Sequence, residues 1–395
     1  MIFIVVLVTA FLVSLALTPI AARVAFRIGA LDQPAPRRVH EKPTPRLGGL
    51  PLFFAFFAAV GVSLVYPRSD SAELTRIAGL GAGATLIFLL GAFDDCHELP
   101  ALPQLIVQII AAGLAVASGV LISTINNPFG GSISLAWFAV PFTLFWIVGM
   151  MNTVNWLDGV DGLAGGVVAI AGIVLIVHTF RYEQYSIALL ALALVGSVLG
   201  FLVFNFYPAR IFMGSAGALV LGFVLGVLSI IGAARVAFAL LVLGIPILDV
   251  AWLIVSRLRA GKSPFIADRS HLHHRLLDHG LSPRAIVLLY YGFSAVSGLL
   301  ALTLPLGLYK LIALVIIGLG ALLLLATMRP IYRADDRRTG EGRPGADGVR
   351  AEAGQKGKNG EGSELEEARQ PSNMTEGGRV SPALEKRDRM KDDGR

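Results

Sequence analysis

A single cysteine, Cys96, rules out an intrachain disulfide and any metal centre built on several thiolates. Charge is nearly as scarce, at 15% Asp, Glu, Lys and Arg against about 25% in soluble domains. Hydrophobic residues make up 55% of the 395 positions and mean hydropathy is +0.71, so a soluble globular fold is excluded and an integral membrane protein is expected. The amino terminus, Met-Ile-Phe-Ile-Val-Val-Leu-Val, lacks the basic region of a secretory signal. Its apolar run of about twenty residues has spanning length and is expected to remain as a first transmembrane helix. No internal repeat of fixed period is present.

The charge that does exist is unevenly placed. Residues 329–395 hold 15 of the 33 Lys and Arg and 14 of the 27 Asp and Glu, with almost no aromatic residues. Such a segment cannot bury enough apolar surface to fold alone. The expected organisation is a membrane domain over 1–328 and a disordered charged tail over 329–395.

Apolar runs that satisfy their own backbone in lipid are read as helices. They lie near 2–24, 47–66, 76–93, 102–122, 135–151, 163–180, 185–206, 216–232, 236–256, 285–304 and 308–328. The expectation is an all-α polytopic membrane protein of about eleven transmembrane helices. Alternate loops then separate the basic residues: one set contains Arg37, Arg38, Arg46, Arg210, Arg257 and Arg275, and the other only Arg68, Arg76, Arg181, Arg235 and Lys310. By the positive-inside rule the first set is cytoplasmic, the amino terminus outside and the tail inside. This also accounts for a pI near 9.6 without nucleic acid as a partner.

Against this background the polar residues stand out, because an Asp near a bilayer centre costs roughly 2.5–3.5 kcal/mol on insertion scales. The stretch Asn152-Thr-Val-Asn155-Trp-Leu-Asp158-Gly-Val-Asp161-Gly-Leu-Ala164 sets two carboxamides and two carboxylates three residues apart, a spacing that stacks them on one helical face. Oxygen donors of this kind suit Mg²⁺, which keeps waters and bridges to substrate phosphates. Asp94-Asp95 ends another apolar run, and adjacent carboxylates attract a divalent cation that relieves their repulsion. Gly214-Ser215-Ala216-Gly217 opens a helix, where free N–H groups can meet a phosphate. Asp249 lies within an apolar run. His271-Leu-His273-His274-Arg275 offers imidazoles and a guanidinium fork to a pyrophosphate. Arg38 and His40 lie in a proline-rich basic loop suited to a lipid or nucleotide phosphate. Under the expected topology all of these clusters share the cytoplasmic face.

The ordered set Arg37-Arg38-Val-His40, Pro45-Arg-Leu-Gly-Gly49, Phe93-Asp-Asp95, Asn152 to Ala164, Phe212-Met-Gly214, Pro246-Ile-Leu-Asp249 and His271 to Leu276 resembles the polyprenyl-phosphate N-acetylhexosamine-1-phosphate transferases over about residues 1–328. The His-x-His-His-Arg-Leu form is more similar to the branch acting on N-acetylglucosamine-1-phosphate and undecaprenyl phosphate than to the peptidoglycan branch. The resemblance implies a bacterial plasma-membrane enzyme that takes a UDP-N-acetylhexosamine and a polyprenyl phosphate, releases UMP, starts a cell-surface glycan, and leaves room for a homodimer. Its implied cofactor is Mg²⁺, with Mn²⁺ as the other candidate. Asp94 or Asp95 would deprotonate or orient the lipid phosphate, with Asp95 also near metal, and Asn155 would bind the metal. Asp158 and Asp161 would shape the nucleotide and metal region, and Asn152, Gly214, Ser215 and Asp249 would contact substrate. His271, His273, His274 and Arg275 would hold the pyrophosphate.

Two positions depart from the family pattern. Ser215 stands where the family has a metal-binding Asp, and Gln104 where many members have a cation. The first supports an alternative, a homologue that binds UDP-sugar or lipid phosphate without turnover. A proton-coupled secondary transporter is the alternative from another class, but transporters place their sites between repeats near the midplane.

Overall fold

The computed structural model describes residues 1–33, 43–68, 70–97, 99–127, 129–232, 242–259, 261, 271–304 and 307–327. Twelve helices run through them: α1 (Ile2–Ile28), α2 (Gly49–Ser63), α3 (Glu73–His97), α4 (Ala101–Ala117), α5 (Ala139–Leu157), α6 (Leu163–Arg181), α7 (Tyr185–Asn205), α8 (Gly214–Ile231), α9 (Gly244–Arg259), α10 (Leu272–Asp278), α11 (Pro283–Thr303) and α12 (Gly307–Thr327). Two antiparallel pairs complete the fold, β1 (Leu31–Asp32) with β2 (Thr44–Pro45), and β3 (Thr124–Asn126) with β4 (Ser132–Ser134).

Every apolar run expected to be helical overlaps one of these helices, since lipid leaves such a segment few other ways to satisfy its backbone. Seven segments among the described residues are long and apolar enough to cross a membrane: α1, α3, Ala136–Leu157 around α5, α6, α7, α8 and α11. The helix α2, the helix α4 and the segment Gly307–Leu323 of α12 are apolar but shorter, and α9 has 16 residues. Seven of the eleven expected spans thus meet that length and composition among the described residues, and the span expected near 236–256 begins outside them. Arg38, His40 and the tail from 329 lie outside the described residues.

The most buried helix is α8, which packs against α3 and α5. Its small residues allow this close approach. At Gly222, for example, a Cβ would meet the Met150 carbonyl. On the flank of the bundle, α1 packs on α2 and α7, and α7 on α6. Helix ends follow local chemistry: Gly29 closes α1 in the left-handed conformation, and Ser282 caps α11 by accepting from Ala285 N–H, with Pro283 in the first turn.

Candidate active site

The run from Asn152 to Asp161 is a helix for only part of its length. Asn152 and Asn155 lie on α5, but the helix ends at Leu157 with Asp158 as its cap, and Asp161 sits in the turn before α6. The expected single helical face is therefore broken, because Gly159 and Gly162 are poor helix residues and Gly162 takes φ +78° to start α6.

A cavity of about 720 Å³ forms beside this break. At one end it is lined by Asn152, Asn155, Asp158, Arg257, His271, His273 and His274, which join α5, α9 and α10. Its other walls are Leu99, Leu105, Phe145, Val148, Ile247, Val250 and Ile254. One space thus combines an apolar trough with a polar head.

Within the head, Asn152 Nδ2 donates to Gln108 Oε1 at 2.6 Å and to the Val148 carbonyl at 2.9 Å. Gln108 is buried on α4, and a carboxamide in the middle of an apolar helix is the signal in the sequence for this partner. The half-buried Asp158 has its pKa raised well above the usual carboxylate range, mainly by burial, with the neighbouring Asp95 and Asp161 adding to the rise and Arg46 opposing it. Asp161 is turned to structure: its Oδ2 accepts from Ala209 N–H at 2.9 Å.

The histidines stand together. His271 and His273 stack with centroids 5.5 Å apart and planes 9° apart, and His273 and His274 are 4.4 Å apart. His273 is 1% exposed, and its Nε2 presses on Gly159, where any Cβ would collide with it. Burial, and then the neighbouring His274 and His271, lower the His273 pKa well below that of free histidine, so the ring is neutral at ordinary pH. Arg275 is buried on α10, and Asp249 lies behind His271 rather than on the cavity wall.

The Asp pair divides its work. Asp94 Oδ1 accepts from Leu99 N–H and Gln104 Nε2, both at 2.8 Å. Gln104, noticed in the sequence only as a missing cation, therefore fixes Asp94 and lines the cavity. Asp95 accepts from the backbone N–H groups of Ser215 at 2.8 Å and Ala216 at 3.1 Å, so the start of α8 is occupied by a protein carboxylate. Gly214 makes this possible: its φ is +70°, and a Cβ there would lie 2.5 Å from Asp95 Oδ2. Arg46 completes the cluster, with Nη2 3.6 Å from Asp95 and Nη1 3.5 Å from Asp32. The turn is tied in turn to the Pro45–Gly49 loop, since Gly48 N–H donates to the Phe212 carbonyl and Phe212 N–H to the Pro45 carbonyl.

Among the described residues no three His, Cys, Asp or Glu side chains converge into a metal cage. Asn155 and Asp158 nevertheless line the cavity, with no hydrogen-bond partner for their side-chain oxygens among the described residues, and so suit a hard cation that draws its other ligands from water and phosphate.

A polytopic membrane protein with carboxamides, carboxylates and histidines gathered at the head of an apolar trough has the architecture of an enzyme acting on an amphiphile. The chain belongs to glycosyl transferase family 4, whose family model matches residues 77–233. It is 39% identical over 297 residues to the probable undecaprenyl-phosphate N-acetylglucosaminyl 1-phosphate transferase of Bacillus subtilis (strain 168), covering 72% of this chain and 81% of that protein. It is 36% identical to the decaprenyl-phosphate N-acetylglucosaminephosphotransferase of Mycolicibacterium smegmatis, over 68% of this chain and 73% of that one. Over a shorter stretch, 45% of this chain and 56% of the relative, it is 38% identical to the phospho-N-acetylmuramoyl-pentapeptide-transferase of Listeria welshimeri.

Proposed function

We propose that this protein transfers N-acetylglucosamine-1-phosphate from its UDP derivative to undecaprenyl or a similar polyprenyl phosphate, releasing UMP on the cytoplasmic face of a bacterial plasma membrane and initiating a surface glycan. The observation that carries this reading is the lining of the cavity, apolar along α5 and α9 at Phe145, Val148, Ile247, Val250 and Ile254 and polar at Asn155, Asp158 and the histidines. An isoprenoid tail fits the first part and phosphate groups the second.

Phosphoryl transfer depends on alignment and charge neutralisation more than on covalent help from the protein. A lipid phosphate oxygen would bond to the sugar-linked phosphorus while the bond from that phosphorus to the bridging oxygen breaks, its electron pair leaving with UMP. Asp94, held by Gln104, orients the lipid phosphate. His274 and Arg257 bring donors to the diphosphate. Asn155 and Asp158 would hold Mg²⁺, which supplies positive charge against the phosphate oxygens.

UMP release by the purified full chain tests this, with undecaprenyl phosphate, a panel of UDP-N-acetylhexosamines and a magnesium titration. Lipid-dependent release with a preference for the N-acetylglucosamine donor is expected. No release at any magnesium level from folded protein would sink the reading.

A further inference from the structure

Two segments that lie apart in sequence meet at one hydrogen bond. Asp249, on α9, is 4% exposed and absent from the cavity wall. Its Oδ2 lies 3.0 Å from His271 Nδ1, and its Oδ1 accepts from Leu272 N–H at 2.9 Å. A carboxylate can only accept, so the proton of this pair belongs on Nδ1. The bond to Leu272 N–H fixes the carboxylate against the first turn of α10 and removes its freedom to follow the ring. The Trp156 ring stands 6.0 Å from the imidazole and His273 lies nearly parallel to it at 5.5 Å, and both neighbours restrain rotation of the ring. Among the described residues Nε2 of His271 has no hydrogen-bond partner, and the ring lines the cavity.

We infer that Asp249 is a positioning residue for the transfer reaction: it holds His271 as the Nδ1-protonated tautomer, so that a basic Nε2 is presented to a proton that the substrate phosphates carry. A histidine's free nitrogen is set by the bond its other nitrogen makes. Without the carboxylate the ring could present either nitrogen, and an imidazolium formed during the reaction would lose its counter-charge.

The role rests on the proposed function, and the tests separate the two. Among the described residues, the other titratable groups around His271 are His273 and His274 on its own helix, Asp158 and Arg257 on the cavity lining, and Tyr290 of α11, which interacts electrostatically with Asp249. In Asp249→Asn, kcat for UMP release should fall about 10–100-fold, with the KM for nucleotide sugar changed less than about three-fold. Adding Asp249→Asn to His271→Gln should cost nothing further, because a residue acting through another has no effect once that other is gone.

Nitrogen-15 NMR of histidine-labelled full-length protein, with the His271 signal assigned by His271→Gln, should show a protonated Nδ1 and a bare Nε2 in the wild type. Those two samples decide the matter if Asp249→Asn does not fold, and they need no turnover. A proton on Nε2, or an equal loss from Asp249→Asn in the His271→Gln background, would overturn the inference. A wild type with the expected tautomer but no UMP release would instead overturn the proposed function.

Discussion

Asp95 and Ser215, 120 positions apart, are joined by a 2.8 Å hydrogen bond from the Ser215 backbone N–H to Asp95 Oδ1. Ala216 N–H occupies the other carboxylate oxygen. The end of α3 is thereby pinned to the start of α8, and Arg46 ties both to the loop before α2.

Asp95→Asn tests that pin. An amide replaces one acceptor with a donor that faces a backbone N–H, and hydrogen bonds to a charged group contribute about 1.5–3 kcal/mol each. A loss of stability of about 2 kcal/mol is expected, together with a fall in UMP release. Thermal unfolding in detergent would show it, and an unchanged transition would remove Asp95 as a structural latch.

Asn152→Ala strips Gln108 Oε1 of the donor it meets at 2.6 Å in a buried setting. An orphaned buried acceptor costs about 1–3 kcal/mol. The paired change Asn152→Leu with Gln108→Leu should recover most of that loss while activity stays low, because the Asn152 carboxamide also lines the cavity. If the double variant is no more stable than Asn152→Ala, the pair is not coupled.

His273 gives stability a pH dependence of known sign. Its folded pKa lies well below 6.5 while the unfolded chain titrates near 6.5, so in acid the unfolded state takes up a proton that the folded state refuses. Stability is therefore intact above about pH 6.5 and falls as pH drops below it, by at most about 1.4 kcal/mol per unit from this group. Unfolding followed between pH 7.5 and 5 should show this slope in the wild type and a shallower one in His273→Gln. Identical slopes would mean that other groups set the acid sensitivity.

Ser215→Asp would restore a carboxylate at a position whose backbone already bonds to Asp95. Without a divalent ion the added charge should destabilise the turn. With one it should lower the magnesium needed for half-maximal UMP release by about ten-fold, since ligand charge sets cation affinity. An unaltered magnesium titration would mean that position 215 does not reach the metal region.

Much of the fold was legible because lipid constrains the chain so strongly. Leu163–Arg181 and Tyr185–Asn205 could be read almost to the residue from their apolar runs. The polar clusters were legible for the opposite reason, since Asn152, Asp158 and Asp249 are costly among apolar neighbours. What the sequence hid was pairing through space. Asp249 read as a substrate contact, yet it stands behind His271; the start of α8 read as open to phosphate, yet Asp95 fills it. Gln104 read as a lost cation and is the support of Asp94. Such partners depend on how α3, α8, α9 and α10 cross, which periodicity along one strand of sequence does not encode.

Phe145, on the apolar wall of the cavity, is 73% exposed on a span-length segment. For the proposed reaction this turns a matter of volume into one of area. A tailed acceptor arriving through that side diffuses in two dimensions, and the quantity the enzyme senses is its mole fraction in the surrounding film, not its amount per litre. Adding more detergent to an assay at fixed acceptor should then slow the enzyme by surface dilution, whereas the water-soluble donor would be indifferent to it.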